Sequence, residues 1–488
     1  MSLEPLLEIV LHGATGSWQA TNEAAFNELF GAAGGRYRDD ARKDVKLRAP
    51  DEPGENGVQF AAFIERSNPD KGAYAGMSVA IFPTPGGPCL LTFVVGTRGL
   101  DSDEAILGRP GHARKIQAMC AWLNGEHGNG TLVAWAKQDP TRVDQPVPPE
   151  VVARFPAYRN VFDRYGKELY GIYAPGGDAA ATKTALTAFL DLMFAERGHV
   201  PLTRYKASFD EIRTGWLKYL MPDTTQRDVH DLLKERRFVI VQGPPGTGKT
   251  RMAIDLVRDA YGGNGESIQF HPNTTYENFV GGLAPAASSE ALGLRFAPAK
   301  GHLMVAAEAA MARPDRDFLL HIDEINRADL SKVLGEAIYL FESTDERIIE
   351  MPYDFGAPFG RRLTLPPNLH VLGTMNTADR SLAILDVAIR RRFAFAKLWP
   401  QLRVVEQHGG AIMQDAFNGL TSIFVEHASG DAFDLVPGHS YFLENNDAKA
   451  TRQLKVTLAP LLEEYLSQGY VAGFSEPIRG YLQWIDAL

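Results

Sequence analysis

Two spacings of apolar residues alternate along the 488-residue chain, and the places where one gives way to the other mark its regions. Near the start, Leu3–Ile9 and Ala24–Phe30 carry apolar side chains every three or four positions, which predicts helices. Dense runs of Val, Phe and Ile follow at Val58–Ile64, Met77–Phe82 and Leu90–Val95, bounded by Gly, Pro, Asn and Asp, and these predict strands. The string PTPGGP at Pro83–Pro88 predicts a hairpin between the last two. A helix over Ala113–Leu123, a strand over Leu132–Ala136 and a long helix over Ala179–Glu196 complete a mixed α/β region, residues 1–200. Residues 201–235 read as a linker with a lead-in helix, Phe209–Leu220. Strand-like runs at Phe238–Val241, Phe318–Glu324 and His370–Gly373 then alternate with helical stretches. That alternation predicts an α/β core with a parallel sheet flanked by helices, residues 236–399. Residues 400–488 read as a small helical lid.

The chemistry sits at the ends of those strands. Gly243, Pro244, Pro245, Gly246, Thr247, Gly248, Lys249 and Thr250 follow the first strand directly, and Met252–Ala260 supplies a helix behind them. This is a Walker A P-loop: its glycines let backbone N–H groups turn inward around phosphates, and the helix N-terminus adds positive charge. Lys249 then reaches the β- and γ-phosphates, and the Thr250 hydroxyl holds Mg2+. The second strand ends in Asp323 and Glu324. Asp323 fits the Walker B carboxylate that orients the magnesium, and Glu324 fits the general base that primes the attacking water. His321 interrupts the apolar run and reads first as a hydrogen-bonded core or edge histidine.

The third strand runs into Thr374-Met-Asn-Thr-Ala-Asp-Arg-Ser381. Asn376 stands where AAA+ motors carry sensor 1, beside the γ-phosphate and the lytic water. Asp379 has two readings, one as a residue that holds this loop and orients Asn376, the other as a turn-forming Asp bonded to local backbone. Three arginines close the segment. Arg390 and Arg391 are the candidates for a finger that reaches a neighbouring subunit's γ-phosphate, and Arg392 for a local anchor. Arg452 is the lid arginine best placed for sensor 2.

Composition narrows the class. Hydrophobic residues make up 45% and charged residues 23%, as in an ordinary globular protein. No apolar run is long enough to span a bilayer, and MSLEPLLEIV lacks the form of a secretory leader, so a cytoplasmic setting without membrane contact is expected. Cys89 and Cys120 are too few for a disulfide framework or a cysteine zinc site. A net charge of −10 argues against a surface uniformly coated for nucleic acid but leaves room for a local basic patch.

Three phrases point to one family. QFHPNTTYENFVGG (Gln269–Gly282), IDEINRADLSKVLGE (Ile322–Glu336) and GTMNTADRSLAILDVAIRRRF (Gly373–Phe393) closely resemble the McrB family, the GTP-hydrolysing AAA+ subunits of modification-dependent restriction systems. GHSYF (Gly438–Phe442) and APLLEEYL (Ala459–Leu466) match the family's lid, so the resemblance runs from about Arg237 to Leu466. It implies a hexameric ring of identical subunits with nucleotide at each junction, GTP favoured with ATP left open, and Mg2+. It further implies a McrC-like nuclease partner, since this chain carries no nuclease set of its own, and DNA as the target. A MoxR-like protein-remodelling ATPase and a non-motor sensor that merely oligomerises are the competing readings.

In that family the N-terminal half supplies target recognition. Here Trp18, Trp122 and Trp135, with Arg36, Arg38, Arg42 and Lys43, are candidates for a flipped base and phosphates, set against a reading as core tryptophans and a solvated basic loop.

Overall fold

A computed structural model of the chain describes residues 3–31, 33–53, 57–287, 294–342, 347–378 and 387–488. Two compact units emerge, one of Met1–Pro222 with Phe424–Ser429, the other of Asp223–Ile423 with Gly430–Leu488.

The first unit is built on a six-stranded antiparallel sheet. Its strands are β1 (Val45–Arg48), β2 (Ala61–Glu65), β3 (Met77–Thr84), β4 (Gly87–Val95), β5 (Ala134–Ala136) and β6 (Leu169–Tyr173), in the order β1-β2-β3-β4-β6-β5. Both faces are buried. Val79, Ile81, Leu91 and Phe93 face the core made with Leu6, Val10, Phe189 and Phe194. Ala80, Phe82, Leu90 and Val94 face a second core with Val161, Phe162 and Ile172. Period-two alternation between two apolar layers explains why these strands read as unbroken apolar runs. The PTPGGP segment turns β3 into β4, with a register shift between Phe82 and Thr84.

Two strands of this sheet, β1 and β6, were not expected from the sequence. β1 is four residues long and half charged, and β6 is interrupted by Gly171. A Cβ there would stand 3.1–3.2 Å from Ile116 and Phe93, so a larger residue would push those side chains back.

The stretch 201–235, read as a linker with a lead-in helix, holds that helix and a second α-helix, one in each unit. Lys206–Leu220 belongs to the first unit and buries Trp216 in its core. Gln226–Arg236 opens the second unit with a Thr225–Asp228 capping box, which satisfies exposed backbone donors. Only Val229 and Leu233 of that helix are buried, too narrow a stripe to stand out in the sequence.

The second unit contains a parallel sheet. Its chain order is β7 (Phe238–Gly243), β8 (Gly265–Gln269), a hairpin of β9 (Gly281–Ala287) and β10 (Leu294–Lys300), and β11 (Phe318–Asp323). A second hairpin, β12 (Ile348–Glu350) and β13 (Arg362–Thr364), precedes β14 (Leu369–Asn376) and β15 (Ala394–Lys397). The sheet order is β15-β7-β14-β11-β8, all parallel. Because β7 lies between β14 and β15, and β11 follows β14, the carboxyl ends of β7, β14 and β11 lie side by side. Asn376 pairs with Gly243, and Ile322 with Gly373. Ligands in open α/β sheets bind at this edge. Helices run from Leu402 to Ala487 after the last strand, with Phe424–Ser429 counted in the first unit.

Candidate nucleotide site

The loop after β7 is shaped for an anion. Gly246 and Gly248 have φ of 81° and 82°, a left-handed backbone that side-chain-bearing residues rarely adopt. Thr247 Oγ1 bonds to Pro244 O at 2.9 Å and braces the turn. The Lys249 ammonium donates to Gly243 O at 3.0 Å and Pro244 O at 2.8 Å, so a buried cation stands at the mouth of the loop where the helix from Lys249 begins.

The lid phrase closes over this loop. Gly438 N donates to Pro245 O at 2.9 Å, and Ser440 N to Gly246 O at 3.0 Å. A Cβ on Gly438 would lie 2.0 Å from the Gly246 carbonyl carbon, so only glycine fits there. His439 accepts from Gln401 N at 3.4 Å, and burial holds it down to about 4.

The acids stand opposite. Thr250 Oγ1 donates to Asp323 Oδ1 at 3.1 Å, and Thr374 Oγ1 donates to the same oxygen at 2.5 Å. Glu324 follows with φ 52° and ψ 45°, a left-handed turn that swings its carboxylate away from the strand. Asn376 Nδ2 donates to Glu324 Oε1 at 2.7 Å, and Arg327 Nε lies 3.4 Å from Oε2. Lys249, Thr250, Asp323, Glu324, Thr374 and Asn376 line a cavity of about 310 Å3, along with Gly246, Gly248 and Ser440.

The oxygens of Thr250 and Asp323 are hard donors beside a phosphate-shaped loop. They suit a magnesium ion that takes one or two protein ligands and completes its shell from phosphate and water. Among the described residues no group of three His, Cys, Asp or Glu forms a cage for a metal held by protein alone.

The remaining candidates divide. Arg390 and Arg391 are exposed on the short helix Val387–Arg392, with the Arg390 guanidinium 5.8 Å over Phe395. Arg392 is tied back to Ala388 O and lies 3.8 Å from Glu342 Oε1. Asp379 lies outside the described residues. Arg452 is exposed on Asp447–Gln453 and does not line the cavity; the lid residue that does is Ser440.

Sequence reasoning missed Thr374, Arg327 and the backbone of Gly438–Ser440. Their only trace is their place inside the family phrases. His321 is buried with both ring nitrogens bonded, to Ser267 Oγ at 3.2 Å and Thr374 Oγ1 at 3.3 Å.

In the first unit, Trp18 and Trp122 are core residues, and Trp18 Nε1 donates to Phe60 O. Trp135 is half-buried on β5 and packs against the second core. Arg36 is likewise structural: it forms a buried ion pair with Asp191, whose oxygen Tyr37 also reaches at 2.6 Å. Burial pushes the Asp191 carboxyl up, against the pull of Arg36 and Tyr37. Arg42 bonds to Asn27 and covers the Phe30 ring. A separate cleft of about 350 Å3 is lined by Arg48, Phe60, Tyr74, Phe82, Arg164 and Tyr165, among others. Arg48 lies 5.9 Å over Phe60 and 5.8 Å over Tyr74, and its Nη1 is buried with no hydrogen-bond partner among the described residues.

A family model described as AAA domain (dynein-related subfamily) matches residues 238–393. The chain is 33% identical over 271 residues to the type IV methyl-directed restriction enzyme EcoKMcrB subunit of Escherichia coli K12, covering 50% of this chain and 57% of that one. It is 27% identical over 194 residues to the type II restriction enzyme BsuMI component YdiS of Bacillus subtilis 168, covering 33% of this chain and 56% of that one. The chain therefore spans little more than half the length of either curated relative. Among the described residues no helix is long and apolar enough to cross a membrane.

Proposed function

We propose that the AAA+ module of this chain is a nucleoside triphosphatase of the McrB type and that the protein is the motor of a DNA-restricting, phage-defence assembly. The observation that carries the proposal is the convergence of Lys249, Thr250, Asp323, Glu324 and Asn376 on one cavity. In this reading the P-loop amides and Lys249 grip the triphosphate. Thr250 and Asp323 would hold a magnesium ion, which would supply charge that neutralises the phosphates. Glu324 takes a proton from the water that attacks the γ-phosphorus, and the bond to the bridging oxygen breaks to release the diphosphate. Asn376 orients Glu324 and that water. Arg390 and Arg391 complete the site of the next subunit, where a guanidinium stabilises the charge of the transition state.

Family resemblance favours GTP over ATP, a ring of six copies, a cytoplasmic setting and a separate McrC-like nuclease. DNA is the proposed target of the first unit, supported by its aromatic cleft, where Arg48 Nη1 is buried with no hydrogen-bond partner among the described residues. Both curated relatives are restriction components, which favours this reading over MoxR-like protein remodelling.

The test is turnover of GTP against ATP by the purified protein, with and without a McrC-like nuclease. Faster GTP turnover, stimulated by that nuclease, is the expected result. Absence of turnover with either nucleotide overturns the proposal.

A further inference from the structure

His321 occupies an interior position of β11, where its neighbours Leu319, Leu320 and Ile322 are apolar and buried. A leucine would fill that position without a polar group to satisfy. The histidine instead engages both ring nitrogens, and the bond directions follow from counting protons. Thr374 has one hydroxyl proton, and at 2.5 Å it goes to Asp323, whose carboxylate only accepts. The Thr374 oxygen must therefore accept from His321, which places the ring proton on Nε2. In the neutral ring Nδ1 then accepts, so Ser267 donates to it.

The result is a relay of donors running one way, Ser267 to His321 to Thr374 to Asp323, across three adjacent strands. Register makes it possible, since Ser267 pairs with His321 in the ladder between β8 and β11. We propose that His321 is a positioning residue for the magnesium site: through Thr374 it fixes the rotamer of Asp323, so that the carboxylate and Thr250 present their oxygens to one ion. Outer partners of this kind orient the groups that bind the metal and set its affinity. The role presupposes the triphosphatase reading above, and the experiment separates the two.

The probe is Mn2+, read by electron paramagnetic resonance on the full chain loaded with a non-hydrolysable GTP analogue, alongside metal-free binding of the same analogue. His321→Leu should weaken Mn2+ binding about tenfold while metal-free binding holds. His321→Gln keeps an amide donor toward Thr374 and should restore most of that loss. Ser267→Ala, on an exposed edge strand, should weaken Mn2+ about threefold and serves if His321→Leu does not fold. A folded His321→Leu with wild-type Mn2+ affinity overturns the role, as does a loss that His321→Gln leaves unrepaired. If His321→Leu does not fold, an unchanged Mn2+ affinity in Ser267→Ala overturns it. Failure of the wild-type chain to bind either analogue or Mn2+ overturns the triphosphatase reading instead.

Discussion

Asn376 Nδ2 donates to Glu324 Oε1 across 2.7 Å, joining the ends of two neighbouring strands at the point where water would be activated. With Arg327 near the second oxygen, the carboxylate is aimed before substrate arrives. Glu324→Gln keeps the shape and the Asn376 contact but cannot take a proton. Its turnover should fall at least about 100-fold with nucleotide affinity retained. Steady-state phosphate release beside a binding titration checks this; wild-type turnover would remove Glu324 as the base.

Lys249 is a buried cation whose partners are loop carbonyls, and a triphosphate offers it better ones. Lys249→Ala should weaken nucleotide binding by about 30-fold or more, the scale of losing one member of a buried charge pair. Fluorescence titration with a labelled nucleotide reads it directly.

Arg390 and Arg391 stand exposed, while Arg392 is tied to its own helix and lies near Glu342. If the first two act across a subunit junction, the double alanine variant should lose about 1,000-fold in turnover. Mixing it with Glu324→Gln protomers should recover part of the rate, because intact base and intact arginine then meet at some junctions. No recovery on mixing would place the arginines in their own subunit's chemistry.

Asp191→Ala leaves Arg36 buried without its counterion and should cost about 3–5 kcal/mol of stability, whereas replacing both by apolar residues should cost much less. Urea unfolding of the two variants compares them. Equal losses would mean that packing, not charge, holds the pair.

Burial holds His321, His370 and His439 down to about 4, against an ordinary value of 6.5. The unfolded chain takes up these protons below about pH 6.5, and the folded chain does so only near pH 4. Their contribution to stability is therefore full above pH 6.5 and is lost as the pH falls from 6.5 toward 4. Melting temperature measured across that window should drop, with a shallower slope in His370→Gln. A flat profile would contradict the burial assigned to them.

How much of this was legible beforehand depended on the range of the forces involved. The P-loop, the acids after Ile322 and the arginines before Phe393 are local: loop curvature, strand length and helix start act within a few residues, so one-dimensional spacing carries them. The long helix Ala179–Glu196 and the turn between β3 and β4 were legible for the same reason. Pairing across distant strands decided the rest. Gly171 lets β6 pass against Phe93, Trp18 and Trp122 turn into the core, and Arg36 finds Asp191 far along the chain. His321 alone in the sequence is a polar interruption of an apolar run. Only the ladder that sets it between Ser267 and Thr374 gives its ring nitrogens directions, because hydrogen bonds between strands depend on register, and no single strand specifies its neighbours.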